Sequence, residues 1–224
     1  MFLFLSTFLC VSLNIGEAVE KLRPDVSLTN KQLIISTVLD RAKKYGVEEE
    51  DYPLILAMIK KESNFAHIYG KHGEVGMLQV IPEDPHIMKI VGEISCSNSE
   101  KYCVGGVPDV KSNGVLASWK VRKFVSEHPK YALETGFGEM LFWKTQYEDV
   151  LKNRYWTKFP AWYFKRKMPD YDLQERMLRW WWNNLTTKAG EYVWISHYNW
   201  GSKLITSAAS RNYALHVLAI KETI

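Results

Sequence analysis

The longest unbroken apolar stretch of the chain covers residues 54–59, six apolar residues in a row, and it predicts a buried helix. Asp51 is suited to cap this helix and Pro53 is suited to its first turn. At a spacing of four residues, Leu54, Met58 and Glu62 fall on one helix face. A carboxyl group in line with apolar side chains is partly desolvated, which raises its pKa and suits it to work as a general acid.

Two further stretches show apolar positions at helical spacing. The first covers residues 31–45, with Thr29 or Asn30 as its predicted cap and Gly46 at its end. The second covers residues 132–151. Because strand patterns are sparse elsewhere, the fold is predicted to be mainly α-helical.

Four blocks of sequence, in a fixed order, carry more information than any single motif. They are residues 62–65 (ESNF), 73–82 (GEVGMLQVIP), 196–201 (SHYNWG) and 210–217 (SRNYALHV), with a weaker fifth block from Leu133 to Leu141. Together they resemble the signature of the soluble lytic transglycosylases, the lysozyme-like enzymes that cleave peptidoglycan. The resemblance implies a lysozyme-like helical domain over residues 29–224, with two insertions at 85–131 and 152–192.

The chemistry implied by the resemblance needs one glutamate and no cofactor. In that family the glutamate protonates the glycosidic oxygen between N-acetylmuramic acid and N-acetylglucosamine. It then takes the proton of the C6 hydroxyl, and a 1,6-anhydro ring closes without consuming water. The resemblance gives both roles to Glu62. It also implies a set of substrate-binding residues: Ser63, Gly76, Met77, Leu78, Gln79, Tyr198, Asn199 and Tyr213.

Glu74 stands where the family commonly has alanine, and it keeps alternatives open. Ordinary glycosidases use two carboxylates, so a second one near Glu62 could hold a water and make the protein a muramidase that hydrolyses the same bond. The other interpretation is a solvated loop residue. A third hypothesis is a catalytically silent peptidoglycan-binding component of a wall-spanning assembly. Intact Glu62 and Gln79 argue against it, because binding alone needs no desolvated acid.

The N-terminal residues are apolar or small as far as Ile15, and Gly16-Glu17-Ala18 offers small residues where signal peptidase cuts. Residues 1–18 are therefore predicted to be a signal peptide. Because no Lys or Arg precedes the apolar run, retention as an N-terminal anchor is the alternative. Both interpretations predict an exported protein of the periplasm or cell envelope.

The cysteines, the histidines and the net charge indicate which bonds, ions and partners to expect. Cys96 and Cys103 remain after cleavage at residue 18, and an even pair in an exported protein predicts a disulfide. The six histidines lack the paired spacing of known metal motifs, so no metal is predicted. The net charge of +4 suits an anionic polymer such as the cell wall, and no nucleic-acid motif is present. Peptidoglycan glycan strands are the predicted partner, and the sequence leaves the oligomeric state open.

The most aromatic part of the chain is residues 155–184, where tryptophans and tyrosines alternate with basic residues. Sugar rings stack on aromatic faces, and amphipathic rings also suit membrane surfaces. Three interpretations stay open for this stretch: packing of the second insertion against the core, a glycan platform, or contact with a membrane or secretion apparatus.

Overall fold

A computed structural model describes residues 14–97, 118–153 and 208–224, together with 103–104, 107–108, 195 and 198. Within these residues the chain is mainly helical, as predicted. The contacts divide it into two compact units, Met1–Leu141 with Ala219–Ile224, and Phe142–Leu218. The motif residues 62–82 all belong to the first unit.

Seven helices are described. Helix α1 includes residues 14–22. The others are α2 (Leu28–Arg41), α3 (Tyr52–Ser63), α4 (Pro85–Ser97), α5 (Ser118–Glu127), α6 (Pro129–Asn153) and α7 (Ala208–Lys221). Two short 3-10 segments, Ala42–Tyr45 and Glu49–Asp51, lie between α2 and α3. Two-residue strands β1 (Cys103–Val104) and β2 (Val107–Pro108) pair antiparallel and contact α4.

The predicted start of α2 was wrong. Ser27 is its N-cap and accepts a hydrogen bond of 3.2 Å from the backbone N–H of Asn30, so the helix begins at Leu28 rather than Lys31. Ser27 takes the N-cap position because its hydroxyl accepts a hydrogen bond from the third backbone N–H of the helix. The predicted stop was right: Gly46, with φ of 66°, ends the 3-10 turn that follows α2.

Asp51 holds the N-cap position of α3, as predicted, but its side chain does not cap the helix. Asp51 makes no side-chain hydrogen bond to α3, because its carboxylate accepts from the backbone N–H of Glu48 at 3.2 Å in the preceding 3-10 turn. Pro53 does lie in the first turn of the helix. The predicted burial of α3 is confirmed, since every residue from Leu54 to Ile59 is at most 2% exposed.

Residues 85–131, predicted to be an insertion, supply much of the core behind the glycine-rich loop. Side chains from α4 and α5 pack with Val75 and Val80 of that loop. The members contributed by the two helices are Ile87, Val91, Ile94, Val121, Phe124 and Val125. The loop is therefore anchored by the segment that follows it in the chain.

Cys96 near the end of α4 is disulfide-bonded. The side chain of Cys103 lies outside the described residues, so the Cys96–Cys103 pairing stays a prediction. The aromatic stretch 155–184 also lies outside the described residues. Among the helices that the structure describes, none combines the length and the apolar character needed to cross a membrane.

Helix α1 is packed into the first unit. Ile15 and Val19 are 2% and 0% exposed, and Ala18 is also buried. The backbone of Gly16 lies so close to α2 that an added Cβ would be 3.1 Å from the side chain of Lys31. The last residues of the predicted signal segment therefore contribute to the folded core.

This packing predicts the cost of a cut after Ala18. A chain lacking residues 1–18 should have a free energy of unfolding about 2 kcal/mol below that of a chain lacking residues 1–13, because it loses the buried Ile15 and Ala18. Urea denaturation of the two truncated proteins measures the difference. Equal midpoints would show that residues 14–18 contribute nothing to stability.

Candidate functional site

Glu62 lies in the last turn of α3, partly exposed, at the point where the helix leaves the core. The residues one and two turns earlier on its face, Met58 and Leu54, are 0% and 2% exposed. Ser63 is buried, and its hydroxyl donates a 3.2 Å hydrogen bond to the carbonyl of Ile59. The carboxyl group thus stands at the border of apolar core and solvent, on a helix that is fixed by its burial.

The turn that follows Glu62 has an unusual backbone. Asn64 and Phe65 have φ values of 51° and 62°, and Phe65 is fully buried. Asparagine tolerates this left-handed region, but a bulky residue such as phenylalanine adopts it only under constraint. Among the described residues, the third non-glycine with positive φ is Gln79, which also belongs to the motif. Strain of about 1–3 kcal/mol per residue is typical of functional sites.

Side chains from outside the motif hold this turn. The guanidinium of Arg23 donates to the carbonyl of Asn64, and the Lys60 ammonium donates to the Asn64 side-chain oxygen at 2.6 Å. The Asn30 amide donates to the carbonyl of Phe65 at 2.9 Å. Three donors on two consecutive residues over-determine the turn, which is the condition under which a strained backbone persists.

The loop from Tyr69 to Val80 is built as a small antiparallel arrangement. Val75 forms bridges with both Tyr69 and Val80, and it exchanges backbone hydrogen bonds of 2.9 and 3.1 Å with Val80. Gly73 and Gly76 have φ values of 94° and 89°, which other residues rarely adopt. Both valines are buried, so the loop is fixed to the core while its glycines turn the chain.

Gln79 braces this loop with its side chain. Its amide nitrogen donates to the carbonyls of Gly76 at 2.6 Å and Ile68 at 3.2 Å. Its amide oxygen lies beside Gly70, 2.5 Å from the place that a Cβ on that glycine would occupy. The predicted substrate-binding glutamine thus has its donor engaged with the loop backbone, and its oxygen lies at Gly70.

Glu74 braces the same loop. Its carboxylate accepts a 2.8 Å hydrogen bond from the backbone N–H of His72, and its carbonyl accepts another of 2.8 Å from Gly70. A Cβ on Gly70 would lie 2.3 Å from the Glu74 carboxylate, so only glycine fits between the side chains of Glu74 and Gln79. The structure therefore gives Glu74 a part in holding the loop.

The remaining predicted site residues divide between the two units. Met77 and Leu78 are 1% and 0% exposed as whole residues, so their predicted contact with substrate stays a prediction. Tyr198 and Tyr213 are buried residues of the second unit. Asn199 lies outside the described residues. That these three complete a pocket with Glu62 stays a prediction.

The sequence does not single out His67, which the structure places against the loop. A Cβ on Gly76 would lie 3.7 Å from the His67 Nδ1, so the imidazole packs directly under the loop. Burial lowers the pKa of His67 below its ordinary range, and the backbone of Ser126 opposes this shift in part. No periodic pattern marks a single histidine in a loop, so its distance of five positions from Glu62 was the only signal.

The lowered pKa of His67 predicts a loss of stability in acid. The unfolded chain protonates this histidine near pH 6.5, whereas the folded chain does so only at lower pH. The unfolded state therefore binds more protons in that window, and the free energy of unfolding falls as the pH drops below about 6.5. Replacing His67→Gln should make the stability less dependent on pH between about 7.5 and 5.

The matched control is His72→Gln, because His72 is an exposed histidine of the same loop. Urea midpoints at both pH values should fall in parallel for the wild type and for this control. If the stability of His67→Gln depended on pH as strongly as that of the control, His67 would not be the source of the loss of stability in acid.

No protein-family profile, curated protein or solved structure matches the chain. By themselves, the fold and the site define a mainly helical protein with a partly buried glutamate in the last turn of a core helix. A strained turn and a braced glycine-rich loop follow it directly.

Proposed function

We propose that the protein is an exported peptidoglycan lytic transglycosylase of lysozyme-like fold, with Glu62 as its single general acid and base. The observation that carries the proposal is the position of Glu62. It ends a helix of the core immediately before a turn held by Arg23, Lys60 and Asn30, and the loop of the resembled motif follows.

The surroundings of Glu62 support an acid role. The apolar residues of its helix face, Leu54 and Met58, are removed from solvent, and the carboxyl group is only partly exposed. A fixed helix end holds the acid in place, as general acid catalysis requires, since the proton must be delivered at hydrogen-bond distance. The neighbouring glycines let a sugar ring approach the loop backbone closely.

The proposed reaction proceeds without water. Glu62 gives its proton to the bridging oxygen as the bond from the muramic acid C1 to that oxygen breaks. The resulting carboxylate takes the proton of the C6 hydroxyl, whose oxygen bonds to C1 and closes the 1,6-anhydro ring. Glu62 is protonated again at the end, and no cofactor takes part. The resemblance adds Tyr198, Asn199 and Tyr213 to the proposed substrate-binding residues.

The muramidase hypothesis requires Glu74 to hold a water molecule. The hydrogen bond from His72 to the Glu74 carboxylate favours the loop role instead. The hypothesis of a silent binding component is disfavoured by Glu62, because binding alone needs no partly buried carboxyl group in the last turn of a core helix.

Mass spectrometry of the soluble products from insoluble peptidoglycan tests the proposal. Fragments that end in 1,6-anhydromuramic acid are expected. Fragments with reducing ends, each heavier by one water, would identify a muramidase, and Glu74→Gln would then be the variant to examine. If the protein sedimented with the wall and released no fragment, the proposal would be wrong and the binding component would be favoured.

A further inference from the structure

Three side chains of metal-ligand type converge at the start of α4. They are Asp84, His86 and Glu139, and the ligand atoms that they offer lie within 4.8 Å of one another. Asp84 directly precedes α4, His86 lies in its first turn, and Glu139 lies on α6. All three belong to the first unit, and none of them is among the site residues predicted with Glu62.

The backbone presents these side chains on rigid elements. Pro85 stands between Asp84 and His86, and the carbonyl of Asp84 accepts a 3.0 Å hydrogen bond from the backbone N–H of Met88. Helix starts of this kind fix side-chain positions better than loops do. Asp84 and His86 thus stand at a helix start that is fixed by a backbone hydrogen bond.

A glycine brings the third ligand close. Gly138 precedes Glu139 on α6, and a Cβ there would lie 2.9 Å from Ile90, which is one turn beyond His86 on α4. The absence of a side chain at position 138 lets the two helices approach. The Glu139 carboxylate then reaches the His86 Nε2 at 3.6 Å.

The cluster is largely withdrawn from solvent. The side chains of His86 and Glu139 are 16% and 7% exposed, and Asp84 is half-buried. Two carboxyl groups beside an imidazole offer oxygen and nitrogen donors to a divalent ion. One imidazole nitrogen and two carboxylate oxygens are ligands that Zn²⁺ accepts, and a tetrahedral ion would keep its fourth position for water.

We propose that Asp84, His86 and Glu139 bind a divalent first-row transition metal ion, for which Zn²⁺ is the best fit, and that the ion ties α4 to α6. The competing explanation is an ion pair between protonated His86 and Glu139 with no metal. The proposal does not depend on the transglycosylase reaction, and its test needs no activity measurement.

Isothermal titration of the chelator-treated protein with Zn²⁺, and separately with Mn²⁺, tests the site. One ion per chain is expected. His86→Gln and Glu139→Gln should each weaken Zn²⁺ binding by more than about 100-fold, beyond the roughly 10–100-fold that loss of an outer-shell partner costs. Two matched controls should leave the affinity unchanged: His72→Gln, an exposed histidine, and Glu83→Gln, a carboxylate beside the site that pairs with Arg122.

The proposal is wrong if the wild type binds no ion. It is also wrong if His86→Gln and Glu139→Gln both keep the wild-type affinity for Zn²⁺. If Glu139→Gln fails to fold, His86→Gln and the wild type still decide the question. Pulsed electron paramagnetic resonance of the Mn²⁺ form should show coupling to an imidazole nitrogen that His86→Gln removes. A Mn²⁺ spectrum without nitrogen coupling would also exclude the site.

Discussion

Glu62→Gln is expected to lower the initial rate of fragment release from peptidoglycan by about 10²–10⁴-fold, the usual contribution of a general acid–base group. Glutamine keeps the size of the side chain and loses the proton that the leaving oxygen needs. Because Glu62 is only partly buried at a helix end, the free energy of unfolding should change by less than about 1 kcal/mol. Initial rates measure catalysis, urea midpoints measure stability, and co-sedimentation with the wall measures binding.

Glu74→Gln is the matched control for this prediction. The amide oxygen of a glutamine at position 74 can still accept the hydrogen bond from His72, so the loop should keep its shape. Its rate should stay within about threefold of the wild type, which is well under 1 kcal/mol in activation free energy. If Glu74→Gln abolished release and Glu62→Gln did not, the acid would have been assigned to the wrong carboxylate.

Local sequence predicted the features that depend on near neighbours. The unbroken apolar run from Leu54 to Ile59 can only be buried, whatever it packs against, and the structure confirms this. Gly46 and Gly76 adopt the positive φ values that favour glycine. The wrong cap of α2 was an error of two or three positions, because several polar residues precede that helix, and Asp51 was predicted at the right position for α3.

Features that depend on distant contacts escaped the sequence. Nothing local forces Phe65 into a left-handed conformation, and the hydrogen bond that Asn30 donates to its carbonyl comes from more than thirty positions away in the chain. Residues 85–131 match no block of the resembled signature, which predicts an insertion there. Their packing against Val75 and Val80 depends on the tertiary fold.

The packing of the N-terminal helix and the proposed metal site also depend on distant contacts that the sequence does not predict. An apolar segment has the same composition whether it is removed, inserted in a membrane or packed, so the sequence does not predict the burial of Ile15 and Val19. Asp84 and His86 have no motif spacing with Glu139, because the close approach of two helices brings them together.

Gly136→Ala is expected to lower the free energy of unfolding by about 3 kcal/mol. An added Cβ on α6 would lie 2.4 Å from the Cδ1 of Leu78 and 2.6 Å from its Cβ. The end of the Leu78 side chain could rotate away, but its Cβ moves only with the backbone. The cost should therefore exceed the usual overpacking range of about 1–3 kcal/mol, and the gain of about 1 kcal/mol in helix propensity offsets only part of it. Chemical denaturation measures the difference.

Gly138→Ala is the control, since it makes the same change on the same helix with the same gain in propensity. Its Cβ would meet the Cγ2 of Ile90 at 2.9 Å and the ring of Tyr45 at 3.2 Å, and the Ile90 side chain can move. Because this glycine lies where α4 approaches α6, the added Cβ should cost the usual overpacking range of about 1–3 kcal/mol before the same gain in propensity, a smaller net loss than that of Gly136→Ala. Gly136→Ala should also slow fragment release, because a shift of the Leu78 backbone displaces the adjoining Gln79. Equal stabilities for the two variants would show that the contact between Gly136 of α6 and Leu78 of the loop is not tight. The inference that α6 affects the candidate site would then be wrong.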